Sequence, residues 1–237
     1  MQSASDEWFD EAYYQRYYFN KKTSVVDPAH TERLGAFVCS YLQYLRVPVA
    51  RVLDMGCGIG LWRDMVARHL PGAQYQGVEY SAYLCQRFGW QRGSVVDYPS
   101  ATPYDFVICQ GVLPYLGVQD LRRALANLGR LCQGALYLEA VTLEDYERGT
   151  IDEDLTDARQ HRHRAALYRQ GLARHFTDMG GGLWLSHRAQ VPLFALEARD
   201  GACPPRPRAA AAARAACARM QPACAPPCAA WPARCRC

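Results

Sequence analysis

Three glycines and an aspartate follow a short apolar run in the first quarter of the chain. The run reads VLDMGCGIG, so that Gly56, Gly58 and Gly60 alternate and Asp54 lies two positions before the first of them. Glycine lets a backbone approach a ligand closely, and Asp54 offers a carboxylate to an ammonium group. A pyrophosphate-binding turn has the spacing G-x-G-x-x-G, and a phosphate loop needs G-x-x-x-x-G-K-[ST]. The motif therefore predicts a ligand that carries a cation rather than a pyrophosphate.

Further acidic and polar residues follow the next apolar runs. Glu79 ends QYQGVE, 25 residues after Asp54, and Asp97 ends SVVD, while Gln110 and Gly111 follow YDFVIC. An acidic residue at the position of Glu79 can accept hydrogen bonds from two ribose hydroxyls. Because ligands of open α/β sheets bind at the carboxyl ends of the strands, these residues are predicted to form one pocket.

The candidates for a catalytic base are His161, His163 and Glu139. The two histidines lie in RQHRHRAALYR, which we predict to be helical, and Glu139 lies just after the centre of an apolar run. Residues two apart do not share a helical face, so an exposed basic helix face is the preferred interpretation of the histidine pair. No catalytic residue is assigned on this basis, and no metal site is assigned.

Alternating apolar runs and amphipathic stretches predict the elements that carry these residues. Strands are expected at 51–55, 74–79, 93–96, 104–109 and 135–141, with a terminal strand pair at 183–187 and 190–197. Helices are expected at 6–18, 27–45, 61–70, 82–88, 119–132 and 156–176. This alternation indicates an α/β domain with a largely parallel sheet that helices cover on both faces.

The last 37 residues differ from the rest. Residues 201–237 are almost wholly Ala, Pro, Arg and Cys and contain no acidic residue, so the net charge of +4 falls to −2 for residues 1–200. We predict a disordered tail, and its composition is that of GC-rich codons, which suggests a frameshift product. The mildly acidic body argues against a nucleic-acid partner. The chain also lacks a span-length apolar run and an N-terminal signal pattern, so a cytoplasmic location without membrane contact is expected.

From about Val52 to Glu197, the chain resembles the class I S-adenosylmethionine-dependent methyltransferases. The resemblance rests on VLDMGCGIG, on Glu79 and on YDFVICQGVLPYL. It implies a Rossmann-like sheet of seven strands, the last two an antiparallel hairpin, with helices on both faces. It also implies S-adenosylmethionine as the cofactor, bound by Asp54, Gly56, Cys57, Gly58, Gly60, Glu79, Tyr80, Val96, Asp97, Tyr98, Gln110 and Gly111. Many relatives have an acidic residue where this chain has Gln110 and Gly111.

These observations predict a methyltransferase that acts on the O or N atom of a small molecule by in-line displacement. The domains would be an N-terminal helical lid (1–45), the cofactor-binding domain (46–200) and the tail (201–237). Tyr17 and Tyr18, in an aromatic N-terminal stretch, are the lid residues expected near the substrate. An RNA or protein methyltransferase and a non-catalytic S-adenosylmethionine-binding protein are the alternatives, and the oligomeric state is left open.

Overall fold

Seven strands form one mixed sheet in the computed structural model, which describes residues 8–20, 22–24, 26–194 and 196–197. They are β1 (Arg51–Met55), β2 (Gln74–Glu79), β3 (Gln91–Arg92), β4 (Tyr104–Gln110), β5 (Cys132–Glu139), β6 (Phe176–Gly180) and β7 (Leu183–Ser186). Their order is β3-β2-β1-β4-β5-β7-β6. The first five are parallel, and β7 runs antiparallel to both β5 and β6. The predicted seven-stranded sheet with a final antiparallel hairpin is confirmed.

Helices cover both faces of the sheet. They are α1 (Glu11–Tyr14), which continues as a π-helical turn (Gln15–Phe19), α2 (Pro28–Tyr44), α3 (Leu61–His69), α4 (Ala82–Phe88), α5 (Val118–Leu131), α6 (Leu143–Arg148) and α7 (Ala165–Leu172). Side chains of a strand alternate between the two faces. In β4, accordingly, Phe106 and Ile108 pack in the core beneath α2 and α3, whereas Val107 and Cys109 pack in the core beneath α5 and α7.

The predicted lid, residues 1–45, consists of two parts with different packing. Asp27 caps α2, because its carboxylate accepts from the backbone N–H groups of Ala29 and His30. Val38 and Leu42 of this helix are fully buried in one cluster with Val52 of β1, so α2 is part of the core. In the described part of the lid before α2, the buried residue of α1 and the π-helical turn is Tyr14. A lid function stays a prediction, and within the described residues it would fall to the segment before α2.

Three predicted elements are wrong in position. The third strand is Gln91–Arg92, and residues 93–96, predicted as that strand, lie in a loop and turn. The helix expected over 156–176 is formed only by α7, and the chain returns as β6 from Phe176. The hairpin partner of β7 is β6 rather than residues 190–197, because the tight turn at Gly180–Gly182, where all three glycines have positive φ, pairs the flanking residues directly.

No helix within the described ranges is long and apolar enough to cross a membrane. The described residues all belong to one unit. The predicted tail, residues 201–237, lies outside the described residues.

Candidate active site

Two adjoining cavities open at the carboxyl ends of the parallel strands. The strand-end cavity has a volume of about 340 Å³, and Gly58, Glu79, Tyr80, Val96 and Asp97 are among the residues that line it. The tyrosine cavity measures about 420 Å³, and its lining includes Tyr13, Tyr17, Tyr18, Asp54 and Glu139. The two share the strand-end residues Gly56, Gly58, Gln110 and Gly111, together with Tyr13, Tyr18 and Tyr115. The two cavities are therefore neighbours, with these shared residues between them.

Glycines leave the space at this junction open. Gly58 and Gly111 line both cavities and have positive φ values of +54° and +69°. A Cβ atom on Gly111 would meet no described atom within 4 Å, and one on Gly58 would meet only the Gly56 carbonyl oxygen at 4.0 Å. The space beside both glycines is thus open to a ligand, and a side chain at either position would begin to fill it. Gly56, by contrast, is needed for packing, since a Cβ there would lie 2.3 Å from Val112.

Glu79 holds the loop between β1 and α3 at the strand-end cavity. Its Oε2 accepts from the Gly58 backbone N–H at 2.8 Å, and its Oε1 accepts from the N–H groups of Tyr80 and Ser81 at 2.8 and 2.9 Å. Burial raises the pKa of Glu79, and these backbone hydrogen bonds oppose the rise. An ionised carboxylate has about four acceptor positions, so one stays available to a ligand hydroxyl.

Asp54 lies at the base of the tyrosine cavity and is only 2% exposed. Tyr75 of β2 donates its hydroxyl hydrogen to Asp54 Oδ2 at 2.6 Å. Burial raises the pKa of Asp54 to about 7, against the hydrogen bond from Tyr75 and with a further rise from the charge of Glu79. A ligand cation beside this carboxylate would stabilise its ionised form.

Most of the residues predicted to bind the cofactor line one or both cavities, and Gly60 and Tyr98 lie outside the described lining. Gly60 begins α3 in a left-handed conformation, and a Cβ there would lie 2.8 Å from the Trp90 ring. Tyr98 is buried in the core, where its hydroxyl donates to Gln91 and accepts from Gln76. The side chain lies in the core after the turn at 95–97, so its contact with a ligand stays a prediction that the cavity lining does not support.

Of the three candidate bases, Glu139 lines the tyrosine cavity. Its Oε2 accepts from Gln110 Nε2 at 3.1 Å and from the Tyr137 hydroxyl at 2.9 Å. His161 and His163 do not belong to the described lining of either cavity. They precede α7 in a segment without regular structure, where their rings stack at 5.4 Å. The prediction that both histidines lie on a helix is wrong, because α7 begins only at Ala165.

An aromatic cluster from the N-terminal segment covers the junction of the cavities. Tyr17 and Tyr18, the predicted lid residues, line the tyrosine cavity, and Tyr18 lines the strand-end cavity as well. The Tyr13 and Tyr115 hydroxyl oxygens lie 2.9 Å apart, and the Phe9 ring packs edge-on against both rings. Sequence reasoning missed Tyr13, Tyr115 and Gln160 as lining residues. Two of them could have been found from the sequence, since Tyr13 lies in the aromatic stretch and Tyr115 in the segment that follows β4.

Two solved structures that share this fold are described as methyltransferases. One is the plantazolicin methyltransferase BpumL in complex with a pentazolic desmethylPZN analog and SAH, at 15% identity, with 71% of this chain and 72% of that chain covered and a TM-score of 0.54. Another is the magnesium protoporphyrin IX methyltransferase (ChlM) from Synechocystis PCC 6803 with bound SAH, at 17% identity, 76% and 95% coverage and a TM-score of 0.52. At these identities the likeness concerns the fold. No curated protein matches the chain in sequence.

A family model described as a methyltransferase domain matches residues 29–185. The matched range includes α2 without its first residue, the sheet without the last residue of β7, and the glycine motif that follows β1. The matched region and the fold agree with the resemblance to S-adenosylmethionine-dependent enzymes that the glycine motif indicates. The chain belongs to the methyltransferase domain family and is a class I S-adenosylmethionine-dependent enzyme.

Proposed function

We propose that the chain transfers the methyl group of S-adenosylmethionine to a nucleophilic O or N atom of a small molecule bound in the tyrosine cavity. The observation that carries this proposal is the pair of adjoining cavities that share Gly58, Gln110 and Gly111. A cofactor in the strand-end cavity and an acceptor in the tyrosine cavity would meet at these residues.

The residues present fit this cofactor. The remaining acceptor position of Glu79 suits a ribose hydroxyl, and the lining by Tyr80, Val96 and Asp97 suits an adenine with its exocyclic amine. The open space beside Gly58 suits the methionine chain, whose ammonium group would be held near Asp54. When bound, S-adenosylmethionine supplies an activated methyl group, whose S–C bond breaks as the acceptor bonds to the methyl carbon, so that the electron pair stays on sulfur.

The chain's own contribution is to orient the acceptor and to exclude water. Holding reactants in attack geometry supplies much of the acceleration of such a displacement. Tyr13, Tyr18 and Tyr115 surround the junction of the cavities, and their rings suit the neighbourhood of a sulfonium through cation–π contacts. Glu139 is the candidate to accept a proton from the acceptor, because it lines the tyrosine cavity.

A small acceptor is favoured over RNA by the pairing of three of the five arginines in residues 159–174. Arg159 pairs with Asp157, Arg162 with Glu153 and Arg164 with Glu144. Arginines that are already paired with carboxylates give little attraction to phosphates.

Radiolabelled S-adenosylmethionine, incubated with the full chain and either fractionated small metabolites or total RNA, tests the acceptor class. We expect label in the small-molecule fraction, with a rate that changes little between low and physiological salt. Label in RNA, with a rate that falls steeply as salt rises, would contradict the proposal.

A further inference from the structure

We propose that the group methylated in the tyrosine cavity is a basic amine, which enters as an ammonium ion and is held by Glu139 and Gln160. This inference rests on the proposed function, since it names the acceptor of the same site. It comes from the carboxylates that line the cavity and from one acceptor atom, Gln160 Oε1, that has no hydrogen-bond partner among the described residues.

The ionisable side chains of the tyrosine cavity are mostly acidic. Its lining includes Asp27, Asp54, Glu139, Asp157 and His30, but neither lysine nor arginine among the described residues. An acceptor that carried a carboxylate or phosphate would find no guanidinium or ammonium partner in this lining. It would instead be placed beside like charges, which is costly in a partly buried site.

Glu139 is the carboxylate of this set whose charge is left for a ligand. Both carboxylate oxygens of Asp157 accept hydrogen bonds from Arg159, and Asp27 accepts from the N–H groups of the first turn of α2. Asp54 is the carboxylate that the proposed function assigns to the ammonium group of the cofactor. Glu139 accepts only from the neutral side chains of Gln110 and Tyr137 in the described part of the chain. Glu139 is exposed, so water hydrates its charge, and a cation in the cavity would give this carboxylate an ionic partner that the described side chains do not supply.

Gln160 supplies a second, unpaired acceptor atom. Its Nε2 donates to the Tyr115 hydroxyl at 3.4 Å, whereas its Oε1 is buried and has no hydrogen-bond partner among the described residues. A buried acceptor without a donor costs about 1–3 kcal/mol. Because Gln160 lines the cavity, a shift of its side chain toward a ligand N–H group would supply the missing donor. An ammonium has three donors and can satisfy more than one acceptor of the cavity.

The remaining lining suits an ammonium ion on a carbon body. The ring centroids of Tyr13 and Tyr17 are 4.9 Å apart, and those of Tyr13 and Tyr18 are 6.3 Å apart. Tyrosine faces attract cations through their quadrupoles. Leu34, Leu61 and Leu155 line the same cavity and offer apolar contacts to the rest of the molecule.

The proton balance of the reaction follows from this arrangement. The ammonium gives one proton to Glu139, and the neutral amine that results has a free lone pair. That pair forms the N–C bond to the methyl group, and the methylated product carries the positive charge as a new ammonium ion. The proton on Glu139 then leaves to water.

Binding of two probes of similar size to the full chain loaded with SAH tests the proposal. Phenethylamine carries an ammonium, and phenylpropionate carries a carboxylate on a comparable phenyl body. We expect calorimetry at pH 7.5 to give a Kd at least about tenfold lower for the amine. Equal or tighter binding of the carboxylate, or binding of neither probe to the loaded chain, would overturn the amine assignment. Failure of SAH itself to bind would instead contradict the proposed function.

Variants separate the assigned residues from general effects. Glu139→Gln and Gln160→Leu should each raise the Kd of phenethylamine about tenfold, while the Kd of SAH stays within about twofold. Glu147→Gln is the matched control, because Glu147 is an exposed carboxylate of α6 outside the described cavity linings. Unchanged amine binding in both cavity variants, or an equal loss in the control, would contradict the roles of Glu139 and Gln160.

Discussion

The indole of Trp62 holds the side-chain amide of Gln110, since Nε1 donates to Gln110 Oε1 at 2.7 Å. This contact leaves Gln110 Nε2 directed to Glu139, at 3.1 Å from Oε2. Trp62 lies in the first turn of α3 and is 3% exposed, packed against Phe106 and Tyr137. A core residue thus orients a residue that lines both cavities, and through it the candidate base.

We predict that Trp62→Phe lowers kcat/KM for methyl transfer by about tenfold, because Gln110 and Glu139 lose their fixed orientation. The substitution should also lower the free energy of unfolding by about 1–3 kcal/mol through lost packing. Steady-state kinetics and urea unfolding measure the two effects. Trp184→Phe is the matched control, since Trp184 is a buried tryptophan of β7 outside the described cavity linings. An equal loss of kcat/KM in the control would show that only packing matters.

The open space at Gly111 predicts a specific effect on cofactor binding. Gly111→Ala places a methyl group in the junction of the cavities, and we expect the Kd of S-adenosylmethionine to rise about tenfold. Gly149→Ala has the same backbone cost, because φ is +63° there and +69° at Gly111, and its Cβ would also meet no described atom within 4 Å. Both variants should lose about 1 kcal/mol of stability, and calorimetry should find weaker binding only in Gly111→Ala. Equal affinities would contradict the assignment of this space to the cofactor.

The raised pKa of Asp54 predicts how cofactor affinity depends on pH. An ammonium held near this carboxylate favours its ionised form, so binding should release a proton near pH 6. The Kd of S-adenosylmethionine should fall as the pH rises through about 7. Calorimetry in two buffers of different ionisation enthalpy measures the released proton. In Asp54→Asn the affinity should be lower and independent of pH over this range, and a pH-dependence equal to that of the wild type would contradict the role of Asp54.

The same carboxyl affects the stability of the chain without cofactor, with the opposite dependence on pH. The folded state keeps a proton on Asp54 up to about pH 7, whereas the unfolded chain loses it near its ordinary pKa of 3.8. The folded state therefore binds more protons between these values, and the free energy of unfolding falls as the pH rises through them, by up to about 4 kcal/mol. Denaturant unfolding of Asp54→Asn should lack this part of the decline.

The described aromatic segment before α2 is predicted to be ordered further by the cofactor. Tyr13, Tyr14 and Tyr18 of this segment line the strand-end cavity, and Ser81 donates to the Phe9 carbonyl at 2.5 Å. Hydrogen exchange should therefore slow over residues 11–19 when S-adenosylmethionine binds, because few buried contacts hold the free segment. The amides of α2 should exchange slowly in both states. Equal exchange of residues 11–19 with and without cofactor would contradict a lid function.

The central strands and the glycine motif are predictable from sequence because each is determined locally. β1, β2 and β4 are apolar runs that end in glycine or in a polar residue, and the Asp27-Pro28 pair is a local helix start. The hairpin is harder to predict, because Phe176–Gly180 contains Thr and Asp and lacks a clean alternation. Residues 190–194 are more apolar, but they form no strand, and Val191 packs in the core beneath α2 instead.

The two cavities also differ in how far the sequence predicts them. Glu79, Asp97 and Gly58 follow strands, so parallel topology predicts that they meet. The tyrosine cavity depends on contacts between distant segments, such as the hydrogen bond between Tyr13 and Tyr115, 102 residues apart. No local pattern specifies such a contact. The position of the tyrosines from the N-terminal segment, and of Gln160, therefore appears only in the folded chain.

Calorimetric titration of the full chain with SAH and with NADH tests the central claim, that the strand-end cavity binds an S-adenosyl cofactor. The account predicts a roughly micromolar Kd for SAH, no measurable heat with NADH, and an SAH affinity at least about tenfold lower in Glu79→Gln, in which a thermal melt verifies folding. Binding of NADH without SAH, or an SAH affinity that Glu79→Gln leaves unchanged, would contradict it.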